Sequence, residues 1–214
     1  MIVGVFLRYF KTYQGINYIP ITDEDRFCGL VGENGIGKSS ILEALDCFFN
    51  SKEWNFHTAT KKSGKQSTKP SIVPVFLIQK KFFQEELDEF NKASLLSDFV
   101  LNAVEENVIP STKSHMKKFI EHRNIIKRNI KIDDYFFLPI GLDYENNISI
   151  SIFNSSYLLD KLHEEKLLEG KTSLNEEELN DFKPVLSVIK DIIEYIYIPR
   201  EIDPESFTKL ETKE

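Results

Sequence analysis

The feature that most constrains the fold is a glycine-rich loop of eight residues. Residues 32–39 read GENGIGKS and fit the pattern G-x-x-x-x-G-K-[ST] at every position. The apolar run FCGLV at 27–31 predicts a strand buried on both faces. Apolar residues at 41, 44, 45, 48 and 49 recur at helical spacing. A glycine loop between a strand and a helix predicts a phosphate-binding loop in an α/β fold.

The residue types of this loop suit a nucleotide and its metal ion. Glycines let the backbone turn tightly, so that N–H groups of the loop and the first helical turn point at phosphate oxygens. Lys38 can reach the β- and γ-phosphates, Ser39 can bind Mg²⁺ through its hydroxyl, and Ser40 can reach the α-phosphate. The alternative is a degenerate loop that no longer binds. The predicted nucleotide contacts in this segment are Gly32, Asn34, Gly35, Ile36, Gly37, Lys38, Ser39 and Ser40.

Two longer segments resemble the SMC-like ATPases, which include the ABC-type heads of SMC proteins, their DNA-repair relatives, RecF-like proteins and the OLD family. GENGIGKSSILEAL at 32–45 is similar to their Walker A segment. LRYFKTYQG at 7–15 is similar to their opening strand and turn, L-x-N-F-[KR]-[ST]-[FY]-x-G, with Tyr9 in place of the usual asparagine. The resemblance implies that Lys11 lies near the nucleotide phosphates; the alternative is a solvated turn residue.

A third segment resembles the strand that closes the N-terminal lobe of these ATPases. Residues 195–201 read YIYIPRE, and the Tyr-Ile-Pro order is frequent in the OLD-like branch. Relatives often carry a glutamine after this strand, near Mg²⁺, whereas Arg200 and Glu201 stand at about that place here. The glutamine-type γ-phosphate sensor of these relatives therefore has no glutamine counterpart at this place.

Several motifs of a complete ABC-type head are missing from the sequence. No apolar run ends in Asp-Glu, as a Walker B strand does, and Gly-Gly, part of the signature motif, never occurs. The resemblance places both motifs in a C-terminal lobe. It implies that residues 1–214 form the N-terminal half of a P-loop NTPase head, with no catalytic residue beyond Lys38 and Ser39. Such a half should bind ATP poorly and hydrolyse it negligibly alone. Its implied partners are that C-terminal lobe and, on MgATP, a second head in a homodimer.

Charge and composition narrow the partners further. The net charge of −7 argues against a broadly basic nucleic-acid-binding surface but allows a local one. No apolar run reaches ~18 residues and no secretory signal is evident, which predicts a cytoplasmic protein without a membrane partner. Cys28 and Cys47 are predicted to be reduced core cysteines. Weak DNA contacts, or alternatively a solvated helix face, are predicted for Lys117, Lys118, Arg123, Lys127 and Arg128.

The chain is predicted to consist of a P-loop unit at 1–50, a polar flexible loop at 51–70, strands with a helical insertion at 71–194, and a closing strand and exit at 195–214. Strands are predicted at 2–10, 17–21, 71–78, 135–142 and 147–153, with Pro74 marking a sheet edge or a bulge. Helices are predicted at 82–106, 114–128 and 158–168. Another runs from a capping box at Ser173 and Glu176 to about 194, kinked or split at Pro184. The four histidines show no metal-ligand spacing and are expected at the surface.

The resemblance leaves several functions open. One is an SMC-like ATPase that acts on or senses DNA in antiphage or plasmid defence or in DNA repair, most narrowly the SMC-like subunit of a Lamassu-type system paired with a nuclease or other effector. Another is the ATPase part of an OLD-family nuclease whose Toprim domain lies elsewhere. A self-contained kinase or GTPase would need an in-chain Walker B aspartate or an Asn-Lys-x-Asp motif, and neither is present. A non-hydrolysing interaction module is the remaining class.

Overall fold

The computed structural model describes residues 1–23, 28–55, 69–107, 110–153 and 179–198. In these ranges the chain forms an open six-stranded antiparallel sheet and four helices, which confirms the predicted α/β class. The strands are β1 Ile2–Phe10, β2 Tyr13–Pro20, β3 Ser71–Gln79, β4 Tyr135–Pro139, β5 Gly141–Asp143 and β6 Ile148–Ser149. The helices are α1 Lys38–Asn50, α2 Asp88–Asn102, α3 Lys113–Asn129 and α4 Lys183–Ile192.

β3 lies at the centre of the sheet, so Pro74 is not at an edge. The alternative, a bulge, is closer to the structure, because the pairing of β1 with β3 shifts register between Ile2 and Gly4, next to Pro74. The strand order is β2-β1-β3-β5-β6, and β4 also pairs with β3. Pro74 is opposite Val5 of β1, and its carbonyl accepts the Ile140 N–H at 3.2 Å. The nitrogen and carbonyl of one strand residue face the same neighbour. The N–H that proline lacks would therefore point at the junction between β4 and β5, where the ladder is already interrupted.

Helices pack on both faces of this sheet. Phe6 is opposite Val73, so Phe76, three residues further along β3, points to the other face. On the Phe6 face, the rings of Phe6, Tyr18 and Phe119 from β1, β2 and α3 have centroids 4.6 to 5.7 Å apart. On the opposite face, α1 sets Phe48 and Phe49 each 6.3 Å from Phe76. The core is therefore two aromatic-rich layers with the sheet between them.

The predicted boundaries of α3 are correct within one residue, whereas the predicted start of α2 is wrong. α3 departs by one residue at each end from the predicted 114–128. The helix predicted to start at 82 begins only at Asp88, since residues 80–82 form a 3-10 turn and Phe83 is buried against Phe136, 5.3 Å between centroids. Pro184 lies in the first turn of α4, where proline is favoured, so it begins this helix instead of bending it.

Two segments predicted as strands are not strands. Phe27 lies outside the described residues, and residues 28–31 have no regular structure and pair with none of the described strands. Residues 195–198 are likewise unpaired within the described ranges. Cys28 is exposed, which corrects its assignment to the core, whereas Cys47 is buried as predicted. The expected helix at 158–168, the capping box at Ser173 and most of the 51–70 loop lie outside the described residues.

Candidate nucleotide-binding site

The glycine loop leads directly into the N-terminus of α1. Gly32, Gly35 and Gly37 have φ angles of 155°, 83° and 99°, a region that favours glycine. Gly37 is the N-cap residue, and no side chain caps the helix there. The first N–H groups of a helix have no partner within it. An uncapped helix start behind a glycine loop is therefore a ready-made anion site, strengthened by the helix dipole.

Lys38 and the two serines take up three different positions at this helix start. The Lys38 ammonium donates to the carbonyls of Gly32 at 2.6 Å and Glu33 at 2.5 Å, so it lies within the loop. Ser39 is exposed and Ser40 is buried. The loop amides and Lys38 fit a phosphate chain, and the exposed Ser39 hydroxyl fits its Mg²⁺. Asn34 and Ile36 are also exposed in the loop, and together with the loop amides, Lys38 and Ser39 they would hold MgATP.

The turn between β1 and β2 packs against the end of the loop. Tyr13 donates its hydroxyl to the Gly37 carbonyl at 3.2 Å. A Cβ on Gly37 would lie 2.7 Å from the Thr12 hydroxyl oxygen and 3.1 Å from the Tyr13 ring. Partial burial raises the pKa of Tyr13, which keeps the donating phenol protonated. Sequence reasoning included Thr12 and Tyr13 in the opening motif but gave neither a role.

Lys11, which is predicted to lie near the phosphates, forms an ion pair with a residue of α1. The Lys11 ammonium forms an ion pair with Glu43, and the backbone N–H of Lys11 donates to the Asn55 carbonyl at 2.9 Å. Lys11 and Tyr9 both have left-handed backbones, with φ of 47° and 50°. Asparagine tolerates that conformation better than tyrosine, which gives a physical reason for the asparagine of the similar motif at position 9.

Two segments expose apolar side chains to water, one before the glycine loop and one after α4. Before the loop, Val31 is 93% exposed; after α4, Ile196 and Ile198 are 73% and 72% exposed. Tyr195 joins the second segment to α1, since its ring stacks on Phe49 at 5.5 Å and its hydroxyl donates to the Leu42 carbonyl at 2.9 Å. Burial, with the nearby Asp46 carboxylate and Tyr197, raises the pKa of Tyr195 to about 12. Tyr195 is thus a neutral anchor for an otherwise exposed apolar segment.

The basic residues expected on α3 differ in accessibility. Arg123 is buried and donates to the carbonyls of Val100 at 3.0 Å and Ala103 at 2.7 Å, at the C-terminal end of α2. Burial lowers its pKa, but guanidinium stays charged under all ordinary conditions. Its role in this fold is to cap α2, so it is not placed for a phosphate contact. The exposed members of the set are Lys117, Lys118, Lys127 and Arg128.

His122 departs from the surface position expected of the histidines. It is buried, with Nδ1 2.7 Å from the Tyr18 hydroxyl and Nε2 3.1 Å from the Thr22 carbonyl oxygen. His115 is half-buried, while His57 and His163 lie outside the described residues. Within the described ranges no group of three or more His, Cys, Asp or Glu side chains is arranged to hold a metal ion. No described helix is both long enough and apolar enough to cross a bilayer.

When the chain is compared with known proteins, one protein family matches it. The family described as "AAA ATPase domain" matches residues 1–212. Neither a curated protein nor a solved structure matches the chain. The family match spans the loop, both segments flanking it and the whole sheet, and it supports ATP binding in general.

Proposed function

The chain belongs to the AAA ATPase domain family, and on that premise we propose that it is the nucleotide-binding half of an ATP-dependent switch. Gly32, Gly35 and Gly37 shape the phosphate site, Lys38 neutralises phosphate charge, and Ser39 binds Mg²⁺. The magnesium ion would supply charge neutralisation between the phosphates when bound. The residues of this chain bind and orient the nucleotide.

One observation carries the proposal: the glycine loop and α1 are folded and anchored on the sheet, whereas the two segments predicted to be strands, 28–31 and 195–198, do not pair with any described strand. α1 is anchored on the sheet through Phe48 and Phe49, and its N-terminus holds the loop. Residues 28–31 and 195–198 expose apolar side chains without a strand partner among the described residues. We propose that a C-terminal lobe of the same ATPase supplies the paired strands and, with them, Walker B and signature residues.

The finer proposal is an SMC-like ATPase whose heads form a homodimer on MgATP and thereby grip or sense DNA. Its supports are the similarity at 7–15 and 32–45 and the exposed lysines and arginine of α3. These cations would pair with phosphates and make binding fall steeply with salt. The proposed setting is bacterial antiphage or plasmid defence or DNA repair, most narrowly the SMC-like subunit of a Lamassu-type system with a nuclease or other effector.

The OLD-family ATPase with a separate Toprim nuclease domain stays the second candidate, because the Tyr-Ile-Pro order at 197–199 favours that branch. The sequence that follows residue 214 in the parent protein separates the two. Coiled-coil heptads support the SMC-like proposal, and an acidic Toprim motif supports the nuclease.

The test is ATP turnover by this chain alone and together with the C-terminal lobe of its parent. We expect negligible turnover alone, and turnover and MgATP-driven dimerisation when paired. Lys38→Ala should abolish both, while Lys52→Ala, an exposed lysine just after α1, should leave both unchanged. Robust turnover by the chain alone would refute the half-site proposal. Unaltered activity of Lys38→Ala would favour a non-hydrolysing interaction module.

A further inference from the structure

The contact between the β1–β2 turn and the glycine loop has a geometric consequence for the phosphate site. Tyr13 donates to the carbonyl of Gly37 at 3.2 Å, and Gly37 is buried under the Thr12 and Tyr13 side chains. That carbonyl belongs to the peptide unit that also contains the Lys38 N–H. None of the described peptide bonds is cis, and in a planar trans unit the carbonyl and the N–H point in opposite directions. A bond that holds the carbonyl therefore also aims the N–H.

The Lys38 N–H lies at the first position of α1, where no side chain caps the helix. It has no partner within the helix and is one of the donors that an anion would meet. Because the Gly37 carbonyl faces Tyr13 in the turn, the Lys38 N–H faces away from the turn. As the N-cap residue, Gly37 has the carbonyl that accepts the first hydrogen bond of α1, and the Tyr13 hydroxyl is a second donor to the same oxygen.

We propose that Tyr13 is a positioning residue of the phosphate loop: its hydroxyl holds the Gly37 carbonyl and so aims the Lys38 amide at the bound phosphate. This inference rests on the proposed nucleotide-binding function and adds a residue outside the glycine motif to that site. Tyr13 acts on the loop and not on the base. Its effect should therefore be the same for every ligand that carries the same phosphate chain.

Tyr13→Phe removes the hydroxyl and keeps the ring over Gly37. The ¹⁵N-labelled 214-residue chain is titrated with MgATP and, separately, with magnesium tripolyphosphate, and affinity is followed by amide resonances. Loss of one neutral hydrogen bond should weaken both ligands by about 2- to 12-fold. The Lys38 amide resonance should shift before any ligand is added. The matched control is Tyr135→Phe, which removes a hydroxyl bonded to Gln79 at 3.2 Å, at the far end of β3 from the β1–β2 turn.

The outcomes separate this inference from the proposed function. Equal weakening of both ligands by Tyr13→Phe, with none in Tyr135→Phe, supports the positioning role. Unchanged affinity in Tyr13→Phe, while Lys38→Ala loses binding, overturns the inference and leaves the proposed function in place. Weakening for MgATP alone overturns it by showing a base contact. If the wild-type chain binds neither ligand, with or without its C-terminal lobe, the proposed function fails and the inference with it.

Discussion

At the scale of single residues, Gly37 links the sheet to the phosphate loop. It has a positive φ, it is the N-cap residue of α1, and the side chains of Thr12 and Tyr13 lie over it. The glycine motif predicts glycine at position 37 because the backbone must turn tightly around a phosphate there. The structure adds a second reason, because a side chain would also collide with the β1–β2 turn.

Gly37→Ala is expected to harm both stability and nucleotide binding. A non-glycine residue held at positive φ costs about 1–3 kcal/mol, and here the new Cβ would also displace Thr12. Gly35→Ala is the matched control, since Gly35 has φ 83° but no atom lies within 4 Å of the place that a Cβ would take. Urea unfolding should show a larger loss for Gly37→Ala than for Gly35→Ala. Equal losses would mean that backbone strain alone matters and that the turn yields.

The His122 contacts predict a pH dependence of stability. The Thr22 carbonyl can only accept, so Nε2 carries the proton and Nδ1 accepts from the Tyr18 hydroxyl. Burial lowers the pKa of His122, outweighing the Thr22 bond and the nearby Asp23, which raise it. A lowered folded-state pKa means that the unfolded chain binds more protons in this pH range. This contribution to stability is present above pH ~6.5 and is lost as the pH falls from there through the folded-state pKa.

The check is the slope of the unfolding free energy between pH 7.5 and 5.5, measured by urea titration. His122→Gln should reduce that slope, whatever its effect on the absolute stability. His115, whose pKa is lowered by burial and by Lys118, stays in place and retains its own share of the slope. An identical slope in wild type and variant would contradict the assignment to His122.

At the scale of elements, periodicity predicted which segments become helices, and side-chain contacts decided where they begin. The amphipathic pattern of α3 placed its ends within one residue, because Met116, Phe119 and Ile126 repeat on one buried face. The same reasoning started α2 too early, since no local pattern reveals that Phe83 packs against Phe136. The role of Arg123 was equally hidden, because the carbonyls it caps lie 20 and 23 residues earlier in the chain.

Arg123→Met is expected to destabilise the junction of α2 and α3. It keeps much of the apolar stem but leaves the Val100 and Ala103 carbonyls without their charged donor, at a cost of about 1–3 kcal/mol. Arg128→Met, an exposed position on the same helix, should change the unfolding free energy by no more than ~0.5 kcal/mol. Chemical denaturation of both variants measures the difference. Unchanged stability of Arg123→Met would show that water replaces the guanidinium at the end of α2.

At the scale of the whole molecule, the most exposed apolar residues lie in two segments that the proposed second lobe would cover. Residues on the Phe6 and Phe76 faces of the sheet are covered by helices, whereas Val31, Ile196 and Ile198 are open to water. Single exposed apolar residues are ordinary in folded proteins. Here, however, two apolar segments expose side chains to water, one before α1 in the chain and one after α4. The proposed partner that supplies strands rests on that pattern.

Ile196→Lys combined with Ile198→Lys should separate folding from assembly. Because both side chains are already in water, the unfolding free energy of the chain alone should change by no more than about 0.5 kcal/mol. Association with the C-terminal lobe, measured by co-purification and light scattering, should be lost, since a charge cannot enter a strand-pairing interface without a large desolvation cost. Leu87→Lys, at an exposed apolar position before α2, is the control and should leave association intact.

Several features of this protein follow from its sequence alone: the glycine loop, the helix after it, the first strand and the α/β class. Each depends on residues close together in the chain, where glycine content and apolar periodicity act directly on the backbone. Three further features depend on tertiary contacts, namely that Tyr13 holds Gly37, that Lys11 pairs with Glu43, and that residues 28–31 form no strand. An apolar run indicates only that a segment is suited to a strand. Whether it becomes one depends on a neighbouring strand with free N–H and carbonyl groups, which no local pattern supplies.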